Sequence, residues 1–202
     1  MYEPKSRVFW RSFHGKYHKQ VLSVLPNNYM KIKYANTNCT RFYSDLKDKK
    51  ACLPIIEAFK QIWNERDIIC IEGEKSRLCV GNDLFVNANS FKRILMPAKD
   101  AYKKMNYALT WIDDNNNIIS DNTLFVLAIG PTATIMAYKL WERGYQALDL
   151  GHIDIQYEYF LRHAEGKIAI PGKYTNENRD GRNPGDEILD EKYQNSIMHI
   201  CL

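Results

Sequence analysis

Residues 124–160, LFVLAIGPTATIMAYKLWERGYQALDLGHIDIQYEYF, decide the fold because they combine strand, turn, helix and second strand without interruption. Residues 124–129 form a continuous apolar run, which is typical of a strand covered on both faces. Gly130 allows a tight turn, and the second strand is expected at residues 145–150. A helix that begins at Thr132 would direct its unpaired N–H groups towards the carboxyl edge of the sheet, where anions bind. The segment therefore predicts an anion-binding edge in a parallel sheet.

The rest of the chain continues the alternation of strand and helix. Apolar spacing predicts helices at residues 8–25, 53–63 and 101–112, a loop and short helix through residue 86, and strands at 67–71 and 93–96. This order favours an α/β fold, namely a Rossmann-like, mostly parallel sheet with helices on both faces and additional N-terminal helices.

The predicted domain organisation is simple. We expect one domain over residues 1–202. Within it, residues 171–191 are rich in Gly, Pro, Asn and charge and are expected to form a long loop. The spacing of apolar residues in 191–202 predicts a short closing helix.

Composition narrows the classes of function. The 202 residues are 45% hydrophobic, as in a globular domain, and the net charge of +4 is not gathered in a stripe, so no nucleic-acid partner is expected. Five cysteines without close pairing favour a reducing compartment. The sequence lacks a signal-peptide pattern and an apolar run near the roughly 18 residues of a membrane span. We therefore expect a cytoplasmic protein without a membrane span.

Polar residues follow the strand predicted at 67–71. Glu72 and Glu74 flank a glycine, and Arg77, Asn82 and Asp83 come soon after. Carboxylates beside a glycine can hold a hard cation or a sugar hydroxyl. The alternative is that these carboxylates pair with neighbouring basic residues on a solvated loop.

Basic residues flank the next strand. Arg93 precedes it, and Lys99 follows it at the carboxyl edge, where Lys99 or Arg77 could neutralise a phosphate. The alternative for Lys99 is a solvated side chain without a ligand.

A second acidic group lies in GHIDIQYEYF, at residues 151–160. Asp154 and Glu158 are four residues apart and would share a helical face, with His152 just before them. Such a group can bind Mg²⁺ or Mn²⁺, or can supply a base and its orienting partner. The alternative makes Asp154 a helix N-cap and leaves Glu158 on the surface.

Four ordered motifs resemble the GT-D-type bacterial glycosyltransferases, long catalogued as a domain of unknown function. The motifs are IEGEKSRLCVGNDLF at 71–85, KRILMPAKDAY at 92–102, LAIGPTATIMAYKL at 127–140 and ALDLGHIDIQYEYF at 147–160. The resemblance covers residues 41–173. It implies a glycosyltransferase that moves a sugar from a UDP-sugar donor to a glycan or glycoprotein acceptor, with Mn²⁺ or Mg²⁺. Surface glycoprotein, capsule or exopolysaccharide synthesis is the expected setting, with other glycosyltransferases as partners.

The resemblance, read with the charge pattern, assigns roles to particular residues. Glu74, Asp154 and Glu158 are expected to be catalytic, and Asp154 and Glu158 are also the expected metal ligands. The residues expected to bind the donor and cofactor are Glu72, Arg77, Asn82, Asp83, Arg93, Lys99, Gly130, Thr132 and His152. Gly81, Pro97 and Gly151 also match the family motifs.

Two departures from the family pattern define the alternatives. Family members begin with a segment containing an R-F-G-D-G-E-like turn that this sequence lacks, and Gln156 stands where relatives tend to carry an acid. We therefore expect an N-terminally shortened member with impaired activity. The main alternative is a non-catalytic nucleotide- or glycan-binding accessory protein. A methyltransferase is less favoured, because the glycine-rich loop for its cofactor is not evident.

Overall fold

The computed structural model describes residues 4–25, 27–31, 33, 39–185 and 190–202. The chain divides into two compact units, residues 1–37 and 38–202. In the first unit, the helix predicted at residues 8–25 is present as α1 (Pro4–Val24), which begins four residues earlier. The rings of Phe13 and Tyr17 lie 5.0 Å apart on one side of it. None of the helices within the described ranges has the length and apolar character needed to cross a membrane.

The second unit is built on a five-stranded parallel sheet. Its strands are β1 (Asp67–Gly73), β2 (Ser90–Met96), β3 (Thr123–Ala128), β4 (Gln146–Asp149) and β5 (Ile197–Ile200). The strand order is β4-β3-β1-β2-β5, and each neighbouring pair is parallel. The predicted α/β fold with a parallel sheet is confirmed.

Helices cover both faces of this sheet. They are α2 (Phe42–Asp45), α3 (Cys52–Ile62), α4 (Met105–Asp114), α5 (Thr132–Trp141), α6 (Ile153–Leu161) and α7 (Glu191–Ser196). Successive strand residues point to opposite faces, so Ile68 and Cys70 pack with α2, α3 and α6, whereas Ile69 and Ile71 pack with α4 and α5. Burial of each large aliphatic side chain contributes about 1.5–3 kcal/mol. The continuous apolar runs of the central strands follow from this two-sided burial.

Two predicted elements are wrong. The helix expected over 191–202 ends at Ser196, and the chain continues as edge strand β5, whose end is fixed by a hydrogen bond from Cys201 N to Leu95 O at 2.8 Å. The short helix expected before residue 86 is a series of turns. Arg77 and Cys79 have φ of 53° and 63°, and L residues cannot continue a right-handed helix in that conformation.

Candidate functional site

A cleft of about 440 Å³ lies at the carboxyl edge of the sheet. The chain passes from β1 to β2 on one side and then returns to β3 on the other side of β1, so the strand order reverses here. Ligands of open α/β sheets bind at such a reversal. The lining comes from the loops after β1 to β4 and from residues 171–185, and includes Ser76, Tyr102, Thr132, His152, Tyr174 and Asn176.

The turn between β3 and α5 forms one wall of the cleft. Gly130 has φ of +61°, a conformation that glycine adopts readily, and Ala133 N donates to Gly130 O at 3.0 Å. Helix α5 begins at Thr132, as expected, and Gly130 and Thr132 both line the cleft. The first N–H groups of a helix lack partners within the helix and favour an anion. The predicted anion-binding edge therefore coincides with a real cavity.

The predicted acidic pair lies on one buried face of α6. Asp154 and Glu158 are each 3% exposed. Asp154 Oδ1 accepts hydrogen bonds from Cys79 N at 2.9 Å and from Asn82 Nδ2 at 2.8 Å. Asn82 Nδ2 also donates to Glu158 Oε1 at 2.7 Å. Asp154 therefore accepts hydrogen bonds from the turn after β1 and does not act as the N-cap of α6.

Lys173, which the sequence pattern does not identify as a site residue, completes this cluster. Its ammonium, 2% exposed as a residue, donates to Asp154 Oδ2 at 2.8 Å and to Glu158 Oε1 at 2.9 Å. Burial lowers the pKa of Lys173, but the two carboxylates outweigh burial, so its pKa is raised. Burial raises the pKa of Glu158, yet Lys173 and Asn82 outweigh that effect and lower it. No periodic pattern in the sequence links residue 173 to α6.

A divalent cation does not fit between Asp154 and Glu158 in this arrangement. The Lys173 ammonium already bridges the two carboxylates, and Arg162 Nε donates to Glu158 Oε2 at 3.2 Å. Over the described ranges, three or more His, Cys, Asp or Glu side chains nowhere come together as a metal site. The geometry therefore gives the expected metal-ligand role of this pair no support.

Glu72 and Arg93 form a buried ion pair and do not line the cleft. Arg93 Nη1 donates to Glu72 Oε1 at 2.6 Å, and Leu78 N donates to Glu72 Oε2 at 2.6 Å. Burial raises the pKa of Glu72, and Arg93 offsets only part of that rise. The guanidinium of Arg93 lies over the rings of Phe91 and Tyr193, 4.7 and 4.5 Å from their centroids. These two predicted donor-binding residues stabilise the sheet and α7.

Arg77 and Asp83 are also engaged by protein groups. Arg77 Nη1 and Nη2 donate to the carbonyl oxygens of Gly172 and Gly185, both at 2.8 Å, so this side chain holds the loop that contains residues 171–185. Asp83 accepts from the Tyr157 hydroxyl at 2.6 Å and pairs with Lys60 at 3.2 Å. Neither residue is among those that line the cleft.

Asp154 lines the cleft, and three further predicted charged or titratable residues lie at the cleft or beside it. His152 lines the cleft, with Nε2 2.9 Å from Asn176 Oδ1. Lys99 is exposed, and both of its neighbours in sequence line the cleft. Glu74 is half-buried directly after β1 and is not among the residues that line the cleft, although the preceding Gly73 is. Its carboxylate has no hydrogen bond or ion pair with the residues that the structure describes.

Gln156 lies on a different side of α6 from the acidic pair. Its Oε1 accepts a hydrogen bond at 2.7 Å from the backbone N–H of Ser44, which lies in α2. Residues two apart on a helix point roughly 200° apart, so an acid at this position would also face α2. The amide therefore leaves the charge of the cleft unchanged.

The parallel sheet, with a cleft at the point where its strand order reverses, defines an α/β protein with a Rossmann-like arrangement. The family described as "Glycosyltransferase GT-D fold" matches residues 1–178, and the chain belongs to this family. The resemblance to the GT-D-type glycosyltransferases is thereby confirmed.

Named relatives agree with this membership. The chain is 40% identical over 144 residues to "Probable glycosyl transferase Gly" of Streptococcus gordonii, covering 71% of this chain and 20% of the relative. It is 36% identical over 165 residues to "Glycosyltransferase GlyD" of Streptococcus pneumoniae serotype 4, covering 82% of this chain and 20% of the relative. The chain thus spans about a fifth of the length of these curated relatives.

Solved structures share the fold. One, described as the highly conserved domain of unknown function 1792 with a distinct glycosyltransferase fold, has a TM-score of 0.82 and 33% identity, covering 98% of this chain and 69% of that one. Another, described as a new glycosyltransferase from Streptococcus sanguinis, has a TM-score of 0.83 and 31% identity. The match covers 100% of this chain and 72% of that one.

Proposed function

We propose that the cleft binds a UDP-sugar donor and that the protein transfers its sugar to a glycan acceptor, in surface glycoprotein, capsule or exopolysaccharide synthesis. The observation that carries this proposal is the cleft at the strand reversal of a GT-D-family sheet. Its volume of about 440 Å³ suits a small-molecule site, since such sites usually occupy roughly 300–1,000 Å³. Partner glycosyltransferases and a cytoplasmic location are part of the same proposal.

The diphosphate of the donor would lie against the start of α5. Arg77, Arg93 and Lys173 are held by internal partners, so the anion would be met by the N–H groups near Thr132 and by His152. Preorganised donors aimed at a leaving group stabilise the charge that develops on it. A divalent cation, when bound to the diphosphate, would neutralise further charge. A requirement for Mn²⁺ or Mg²⁺ stays a prediction.

A base for the acceptor hydroxyl is needed when the sugar configuration inverts. Among the three predicted catalytic acids, Asp154 and Glu158 are bound by Lys173 and are buried. Glu74 carries no such partner among the described residues and follows the strand end whose Gly73 lines the cleft. In this proposal, Glu74 therefore has the role of the general base that accepts the proton of the acceptor hydroxyl.

The accessory-protein alternative has one specific observation in its favour. The arginines expected to neutralise the donor are engaged inside the protein, so the cleft is less basic than the sequence predicts. Such a cleft would hold a nucleotide or glycan without accelerating transfer.

Two measurements on the same protein separate these functions. Calorimetric titration with UDP measures binding. Release of UDP from UDP-glucose, UDP-galactose or UDP-N-acetylglucosamine, with water or added saccharide as acceptor, measures turnover. The proposed transferase function predicts both UDP binding and UDP release. UDP binding without release from any donor would favour the accessory function, and the absence of UDP binding would contradict the transferase and the accessory function alike.

A further inference from the structure

The segment of residues 171–185, called the C-terminal loop here, forms a wall of the cleft. Tyr174 and Asn176 line the cavity directly. The loop is fixed to the turn after β1, because Tyr174 N donates to Lys75 O at 2.8 Å and Arg77 donates to Gly172 O and Gly185 O. The shape of the cleft therefore depends on how this loop is attached.

Lys173 is the buried attachment point of the C-terminal loop. Its side chain is 3% exposed and bridges two carboxylates that are each 4% exposed. It is adjacent in sequence to Tyr174, so the position of the ammonium also places a residue that lines the cleft. A buried ion pair of this kind tolerates loss of both charges better than loss of one.

All four oxygens of the acidic pair are already satisfied by protein N–H groups. Asp154 Oδ1 accepts from Cys79 N and Asn82, and Asp154 Oδ2 from Lys173. Glu158 Oε1 accepts from Asn82 and Lys173, and Oε2 accepts from Arg162. Two negative charges are thus matched by two positive side chains, Lys173 and Arg162.

We propose that the Lys173 ammonium takes the place between Asp154 and Glu158 that a divalent cation would otherwise occupy, and that this internal ion pair holds the C-terminal loop against the cleft. Lys173, Asp154 and Glu158 are positioning residues in this account. The inference does not depend on the proposed transfer reaction, since it concerns the protein without nucleotide. It disagrees with the expected metal-ligand role of the acidic pair.

The test is thermal unfolding of the whole chain with and without Mn²⁺, in the absence of nucleotide. Lys173→Met leaves two buried carboxylates without their bridging cation and should lower Tm by about 10 °C. Mn²⁺ prefers carboxylate ligands and should restore much of this loss by binding the vacated position. The wild-type Tm should not respond to Mn²⁺.

Matched variants locate the effect. Lys139→Met removes a partly exposed lysine on α5 that pairs with Glu142 at 2.8 Å, outside the acidic pair and the C-terminal loop, and should leave the response to Mn²⁺ as in the wild type. The triple variant Asp154→Asn/Glu158→Gln/Lys173→Met has no charge to neutralise and should not respond to Mn²⁺.

The proposal is overturned if Mn²⁺ raises the Tm of the wild type as much as it raises the Tm of the Lys173→Met variant. It is also overturned if the Lys173→Met variant folds and Mn²⁺ leaves its Tm unchanged. If Lys173→Met does not fold, Mn²⁺ binding to the wild type and the triple variant, measured by electron paramagnetic resonance, decides the question. Weak Mn²⁺ binding that is equal in the wild type and the triple variant supports the internal ion pair. Tight Mn²⁺ binding to the wild type that is lost in the triple variant contradicts it.

Discussion

At the residue scale, several charged side chains at the carboxyl edge of the sheet form ion pairs with other side chains of the protein. Glu72 is fully buried and depends on Arg93, while Asp154 and Glu158 depend on Lys173. Burial of a charge without a partner costs several kcal/mol, so these pairs must form for the sheet edge to fold. They stabilise the walls of the cleft, while its lining is mostly uncharged.

Removal of Arg93 tests this view of the buried pair. Arg93→Met should lower the free energy of unfolding by about 3–5 kcal/mol, because Glu72 is left buried without its partner. The double variant Glu72→Gln/Arg93→Met should recover part of this loss. Urea denaturation measures both changes.

An exposed ion pair provides the control for that experiment. Arg143 pairs with Asp113 at 2.8 Å with both side chains partly exposed, and Arg143→Met should cost no more than about 1 kcal/mol. Similar losses of unfolding free energy in Arg93→Met and Arg143→Met would show that the buried pair contributes no more to stability than the exposed pair.

The pKa of Glu158 leads to a pH prediction. Burial raises this pKa, but Lys173 and Asn82 outweigh burial and lower it below the ordinary value of 4.5. The stabilisation is therefore present above pH 4.5 and is lost as pH falls through the folded-state pKa. The difference in unfolding free energy between wild type and Glu158→Gln should shrink below pH 4.5. A difference in urea unfolding that stays constant from pH 7 to 3 would contradict this assignment.

The sequence identifies such residues but cannot choose their partners. Glu72, Asp154 and Glu158 stand out because acidic residues follow predicted strands. Their cations, Arg93 and Lys173, come from elements that pack beside them only in the folded chain, 21 and 19 residues away from Glu72 and Asp154. A charge that appears free for a ligand in the sequence is therefore neutralised by tertiary packing.

At the element scale, prediction succeeded where the local pattern is strong. Helix α5 begins at Thr132 as expected, because the apolar strand, Gly130 and the helical spacing all agree. Strand β5 was missed because its four residues also fit helical spacing and gain their pairing only from β2. Short edge strands depend on tertiary partners more than on local sequence.

The attachment of the C-terminal loop gives an element-scale prediction. Arg77 reaches two carbonyl oxygens with its forked guanidinium, and a lysine has a single terminal nitrogen. Arg77→Lys should therefore speed hydrogen exchange at Tyr174 N and Thr175 N while exchange in β1 and β3 stays unchanged. The matched control is Arg143→Lys, far from this loop in sequence and bound to a carboxylate. Unchanged exchange at Tyr174 and Thr175 would show that Arg77 does not hold the loop.

At the scale of the whole molecule, the strand order brings four loops to one edge. The loops after β1, β2, β3 and β4 all contribute to the cleft, and Gly130, Thr132, His152 and Asp154 line it as the sequence places them. The aromatic walls, Tyr102 and Tyr174, were not among the site residues expected from the sequence, because a tyrosine is recognised as a binding residue only when a cavity is seen beside it. Membership of the GT-D family supplies the reason to propose a sugar donor as the occupant.

The central claim, that this cleft is the donor site, is tested most directly by UDP affinity in two tyrosine variants. Tyr102 lines the cleft and is 60% exposed, whereas Tyr138 on α5 is 54% exposed and is not among the lining residues. Stacking of a base on an aromatic ring contributes about 1–3 kcal/mol. Calorimetric titration should show UDP binding to the wild type, a loss of affinity of roughly fivefold or more in Tyr102→Ala, and unchanged affinity in Tyr138→Ala. Equal affinity in all three proteins, or no UDP binding to the wild type, would contradict the account.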